Sequence, residues 1–315
     1  MHDAFAAPVP LPGQDPWLVP YQDGHLLVQS AQGDRRIVVR RVFDVDRMEV
    51  GAAETVWAPS PWRRLRGSRH DRELWAPELH QLDGRWYIYY AGSDGVNANH
   101  RSYVLEATDP FGPYREVGWI GDVAHDVWAI DLTVLEHSGR RFALWSGWEA
   151  DGESGVQHLY IAPMCDPVTV SAPRVRISSP EHPWERSVAP INEGPQALYR
   201  SDGGTFVLFA ADASWTTAYA TGVLELVGDD PLDPVAWRKH PDPLMTGGGH
   251  GCVVDTPAGA RYVHHRKTGH EPGWSDRVIV AVPFGWDANG TPAVGGGPPP
   301  RHGVSPTPGL GPSSG

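Results

Sequence analysis

Trp75–Tyr90 reads WAPELHQLDGRWYIYY: an apolar run, an Asp-Gly pair at 83–84, then a run of alternating aromatics. Asp-Gly between such runs is a strong short-range hairpin signal, because both residues of the tight turn must take positive φ. The same grammar recurs four times, as DPWLVPYQDGHLLVQ from Asp15, DLTVLEHSGRRFALW from Asp131, EGPQALYRSDGGTFVLF from Glu193 and HGCVVDTPAGARYVHH from His250. Each copy runs apolar, turns at a glycine and resumes as an alternating strand. The openings at 15, 75, 131, 193 and 250 lie roughly 60 residues apart, longer than the blade repeats usually legible in sequence but room for four short strands. Arg85–Ala91 followed by Ser102–Ala107, and Arg141–Ser146 followed by His158–Ala162, read as further strand pairs, while helical periodicity is scarce. The predicted fold is all-β, a five-bladed β-propeller spanning residues 1–290. Its innermost strands line one axis, so the five openings converge although they are distant in the chain. A β-sandwich with the same residues as turn initiators is the alternative, and the regular repeat counts against it.

Residues 291–315 are too rich in Gly, Pro and Ser to bury a core and read as a disordered tail. A net charge of −12, with Lys239 and Lys267 the only lysines, disfavours a nucleic-acid partner. The basic cluster Arg63, Arg64, Arg66, Arg69 and Arg72 reads as a solvated loop. No apolar run approaches the roughly 20 residues of a membrane helix. Cys165 and Cys252 lack metal-site spacing and are expected to be reduced and buried. Met1–Pro10 shows no secretory pattern, so the chain as written reads as cytoplasmic; a secreted domain stripped of its leader would look the same.

Three openings carry carboxylates: Asp15 in GQDPW, Asp131 in WAIDLTV and Glu193 in INEGPQ. Singly, each suits a turn. Three at the heads of inner strands suit glycoside hydrolysis by inversion, in which one carboxylic acid protonates the leaving oxygen and one carboxylate activates water on the opposite face.

The ordered set LPGQDPW, LWAPELHQLDGRWYIYYAGSDG, NHRSYVLE, WAIDLTVLEHSG, WSGWE, INEGPQAL and GGGH, over roughly residues 11–285, resembles glycoside hydrolase family 43, and within it the α-L-arabinofuranosidases. The resemblance implies Asp15 as general base, Glu193 as general acid and Asp131 as the carboxylate that raises the acid's pKa and orients it. A neighbouring negative charge acts in that direction. It also implies a sugar pocket lined by Trp75 and Ala76, with Trp17 and Glu78 nearby and Trp215, in SWTTAYATG, bordering a subsite. For Trp75 and Trp17, burial in the core is the competing expectation. His250 is expected to project into the channel beneath the carboxylates, either touching a structural Ca2+ through water or packed as a satisfied side chain. No cofactor is required, and the implied partner is an arabinose-containing oligo- or polysaccharide, with no nucleic acid and no membrane. β-Xylosidase and endo-arabinanase activities share this pattern, and a non-catalytic carbohydrate-binding propeller is the alternative from another class. The fifth repeat departs from the family at GGGHGCVV and YVHHRKTG, which leaves open whether His264 or Arg266 touches sugar. Loops 58–74 and 148–157 are expected to shape the pocket rim.

Overall fold

Asp83-Gly84 takes φ of 51° and 73°, and Ser138-Gly139 takes 50° and 71°. This is the mirror-image turn whose twist matches that of the strands it joins. The turns pin Arg72–Leu82 against Arg85–Ser93 and Ala129–His137 against Arg140–Gly147, both antiparallel. A computed structural model of the chain describes residues 11–295 apart from 32, 34, 61–68 and 153–154.

Five antiparallel sheets follow one another along the chain. Blade 1 runs outward from Trp17–Tyr21 through Gly24–Ala31 and Arg36–Asp44. Blade 2 runs from Arg72–Leu82 through Arg85–Ser93 and Arg101–Ala107 to Arg115–Trp119. Blade 3 begins at Ala129–His137, blade 4 at Asn192–Tyr199 and blade 5 at Gly249–Thr256. The molecule is a five-bladed β-propeller. Alternation puts one set of side chains on each face of a blade, so apolar clusters form where successive blades meet. Tyr89, Val104, Leu132 and Trp145 join blades 2 and 3. Leu144, Ile161, Val207 and Phe209 join blades 3 and 4, and Leu208, Val223, Val253 and Tyr262 join blades 4 and 5. The largest cluster ties blade 5 to blades 1 and 2 through Leu18, Leu79, Cys252 and Ile279.

Closure comes from the first described residues. Leu11–Pro12 pairs with Arg277–Trp286, so the start of the chain supplies the outer strand of the last blade. The other half of that edge is Pro292–Val294. Blade 5 therefore continues past residue 290 into the stretch expected to be a disordered tail, because the edge of Arg277–Trp286 offers backbone partners to a short apolar segment. Cys252 is buried, but Cys165 is exposed, near the outer edge of blade 3, which corrects the expectation that both are buried. Arg69 and Arg72 are solvated; Arg63, Arg64 and Arg66, parts of the two rim loops and the tail from 296 lie outside the described residues. Among the described residues no helix is long and apolar enough to cross a membrane.

Candidate active site

At the head of each inner strand one residue has left-handed backbone: Asp15 (φ 47°), Ala76 (42°), Asp131 (57°), Gly194 (52°) and His250 (48°). In blades 2 to 5 the pairing register breaks at this point. Such bulges re-aim a side chain, here at one end of the axis. Four of the five residues are not glycine, and that conformation costs each on the order of 1–3 kcal/mol, the kind of strain that collects at functional sites.

The common backbone position also corrects the alignment of the repeats. In blades 2 and 4 it belongs to Ala76 and Gly194, one residue after the expected Trp75 and Glu193. Asp15 and Asp131 occupy equivalent positions, whereas Glu193 reaches the site from the preceding one. The reason lies in packing: a Cβ on Gly194 would stand 2.6 Å from the His250 ring, so blade 4 carries no side chain there.

His250 Nδ1 lies 3.3 Å from Asp15 Oδ1 and 3.8 Å from Asp131 Oδ2. The histidine is thus level with the carboxylates rather than beneath them. His265, from the second strand of blade 5, brings Nδ1 to 3.1 Å from the Asp15 carboxylate and equally close to the Asp15 N–H. Burial alone would raise the Asp15 pKa, but His250, the His265 hydrogen bond and Arg277 outweigh it and hold the carboxyl well below the usual range. His265 is itself pushed down by burial, so near neutral pH its Nδ1 accepts the Asp15 N–H and fixes that backbone, while Arg277 supplies the permanent positive charge. Arg277 also donates to Gln14 Oε1, beside Asp15.

Glu193 is buried, and its Oε1 accepts a 2.8 Å hydrogen bond from Tyr219. Burial, then the charge of Asp131, pushes its pKa up to about 8. Asp131 is raised too, by burial and by Asp15, while the Gly194 N–H donates to its Oδ2 at 3.0 Å and favours the ionised form. The two buried acids titrate as a pair. Both have a donor, the Gly194 N–H for Asp131 and the Tyr219 hydroxyl for Glu193, and the Asp131 charge is the largest influence after burial that favours the protonated form of Glu193. The arrangement combines an ionised carboxylate beside a fixed cation with a carboxylic acid that stays protonated near neutral pH, the two states that acid–base hydrolysis uses.

A sequence model of the family described as glycosyl hydrolases family 43 matches residues 7–292. The chain belongs to glycosyl hydrolases family 43. It is a glycoside hydrolase, and its substrate is a carbohydrate. The chain is 32% identical over 275 residues to the extracellular exo-α-(1→5)-L-arabinofuranosidase of Streptomyces chartreusis, with 80% of each chain covered. It is 32% identical over 284 residues to α-L-arabinofuranosidase 43 of Humicola insolens, spanning 88% of this chain and 56% of that protein. The crystal structure of the α-L-arabinofuranosidase from Lactobacillus brevis superposes with a TM-score of 0.80 at 29% identity, covering 91% of this chain and 94% of that one.

Within this family-43 site the remaining expected residues divide. Trp75 is half-buried, with one face stacked on His100 at a ring distance of 3.7 Å and its body against Trp128 and Trp148. Ala76 places only a methyl at the axis position of blade 2, leaving room where blades 1, 3 and 5 carry Asp15, Asp131 and His250. Trp17 is not a sugar-facing residue: it is buried, donates Nε1–H to the Leu79 carbonyl at 3.0 Å and packs in the largest core cluster. Glu78 points below the site, buried, with its carboxyl 2.9 Å from His80 Nε2. Burial drives its pKa well up, and the charge of Asp131 adds to this. Trp215 is half-buried on the loop before Tyr219. His264 is buried against Tyr262 and Arg266 is exposed, and strand alternation turns both away from the face that His265 presents to Asp15.

Below the carboxylates the axis narrows to a cavity of about 40 Å³ lined by Trp17, His80, Thr133, Gln196 and Val253, among others. That is water-sized space. Calcium takes about six to eight oxygen ligands. Gln196 Oε1 is occupied by the Val253 N–H, Glu78 by His80, and among the described residues no group of three or more His, Cys, Asp or Glu side chains is arranged to hold a metal. The residues present do not fit a directly ligated Ca2+, and His250 faces carboxylates instead.

His265, Tyr219 and Arg277 escaped the sequence reading because they lie outside the repeat openings, His265 and Arg277 on the second and third strands of blade 5 and Tyr219 immediately before the third strand of blade 4. Alternation alone could have separated His265 from His264, since adjacent residues on a strand face opposite sides.

Proposed function

We propose that this glycoside hydrolase is an α-L-arabinofuranosidase that removes terminal arabinofuranosyl units from arabinan, arabinoxylan or derived oligosaccharides with inversion at the anomeric carbon. The observation that carries the reading is the pairing of a carboxylate held ionised, Asp15, with a buried acid held protonated, Glu193, around one axis. Glu193 gives its proton to the leaving oxygen as the glycosidic bond breaks. Asp15 takes a proton from the water that attacks the opposite face, and Arg277 and His265 keep it ready to do so. Asp131 keeps Glu193 protonated and, through the Gly194 N–H, fixes the chain on which the acid sits. The arabinofuranosidase names of the relatives support the choice of donor sugar.

The test is hydrolysis of a panel of 4-nitrophenyl pentosides and arabino-oligosaccharides, with the first-formed sugar followed by NMR. The expected outcome is activity on α-L-arabinofuranosides with the β-anomer appearing first. Activity confined to β-xylosides would overturn the donor assignment, and an α-anomer formed first would overturn inversion.

A further inference from the structure

Trp274 is a large apolar side chain with 62% of its surface exposed, in a segment, residues 268–276, that is otherwise polar and solvated. A residue of this kind calls for an explanation, because tryptophan is among the most buried types on average. The loop that carries it is firmly held. Lys267, whose side chain is 1% exposed, donates to the Gly273 carbonyl at 2.9 Å, to the Ser275 carbonyl at 3.3 Å and to Asp276 Oδ1 at 2.7 Å. Asp276 Oδ2 accepts the Gly269 N–H at 2.7 Å, and the Asp276 carbonyl accepts both the N–H and the hydroxyl of Thr268. A buried ammonium is expensive unless every N–H is partnered, as here. The result is an exposed indole in a fixed position, the kind of rigid aromatic that binds with little ordering cost.

A second tryptophan meets it. The Gly273 N–H donates to the Trp215 carbonyl at 2.8 Å, and the two indoles stand 5.0 Å apart at 51°, forming a notch. Each ring is anchored to one side of the candidate site. Trp215 lies four residues before Tyr219, which holds Glu193. Trp274 lies three residues before Arg277, whose guanidinium sits 5.4 Å from the Trp274 ring centre, whose Nε–H donates to the Trp274 carbonyl, and whose charge acts on Asp15. The notch therefore joins the segment that leads to Tyr219, on the acid side, to the segment that leads to Arg277, on the base side. A group there contacts whatever projects from the donor across the scissile bond.

We propose that Trp274, with Trp215, is the platform for the sugar ring on the leaving-group side, so that the enzyme is selective for pentose chains over glycosides with small leaving groups. The C–H face of a furanose or pyranose ring is apolar and suits an indole face, with the tilted second indole against its edge. This inference rests on the proposed glycosidase chemistry, and its test separates the two.

The experiment compares kcat/KM of the full chain for α-1,5-arabinobiose and for α-L-arabinofuranosyl fluoride, whose leaving atom is too small to reach the notch. In Trp274→Ala the biose-to-fluoride ratio is expected to fall about tenfold, the factor that corresponds to about 1.4 kcal/mol, and in Trp274→Phe it is expected to stay within about threefold of wild type. A fall of less than about threefold in Trp274→Ala, or an equal fall in both variants, overturns the platform. If wild type hydrolyses β-xylosyl fluoride and not the arabinosyl donor, the donor assignment fails. The same ratio and threshold then apply to xylobiose against xylosyl fluoride, and the platform stands or falls on that ratio.

Discussion

Asp131→Asn removes one negative charge from the buried pair while keeping an oxygen for the Gly194 N–H, which donates to Oδ2 at 3.0 Å in the native chain. Glu193 stands at about 8 against an ordinary 4.5, with burial the larger cause and the Asp131 charge the second. A neighbouring like charge of this kind shifts a carboxyl by on the order of one pH unit, or roughly 1.4 kcal/mol. A neighbouring anion disfavours ionisation, so its loss lets Glu193 give up its proton at lower pH. The alkaline limb of the kcat/KM profile, which reports the acid of the free enzyme, should move to lower pH by about one unit. The assay is hydrolysis of an unactivated arabino-oligosaccharide between about pH 4 and 9, because an aryl leaving group would hide the acid's titration. An alkaline limb that stays in place, or moves upward, would refute the claim that Asp131 keeps Glu193 protonated.

The other substitutions probe separate contacts. Asp15→Ala should cut turnover by about 10³-fold or more on every substrate, whereas Glu193→Ala should do so only where the leaving group needs a proton, with activated aryl glycosides largely spared; equal losses in both variants on an activated aryl arabinoside would contradict the division of roles. Tyr219→Phe removes the hydroxyl that donates to Glu193 and lowers its pKa, so the alkaline limb should move up by as much as about one unit, opposite in sign to Asp131→Asn, and a downward move would count against this contact. Gly194→Ala forces a Cβ onto left-handed backbone and to 2.6 Å from the His250 ring; it should cost about 2–3 kcal/mol and lower Tm by roughly 3–5 °C, and a Tm within about 1 °C of wild type would show that the close packing at the axis is not needed.

The hairpin grammar was legible because it is local. Asp83-Gly84 and Ser138-Gly139 demand their turns wherever they occur, and strand alternation follows from period two, so the repeat near 60 residues carried the five blades and placed Asp15, Asp131 and Glu193 at strand heads. The one-residue offset of Glu193 from Asp131 was not legible. It depends on Gly194 lying under His250, a contact between residues 56 positions apart that only the closed ring creates. Nor could local pattern separate the tryptophans. Trp17 and Trp274 occur in similar Pro- and Gly-containing surroundings, yet one is covered by blade 2 and the other is left mostly exposed beside Trp215, because burial is a property of which blades meet. Leu11–Pro12 shows the same limit: two residues with no pattern of their own became the outer strand of blade 5 because an open edge 265 or so residues later needed partners. The amino-acid sequence by itself determined the blades and which carboxylates head them. The tertiary structure decided which of those carboxylates is ionised and which keeps its proton, since that depends on His265, Arg277, Tyr219 and the depth of burial around them, all contributed by strands distant in the chain.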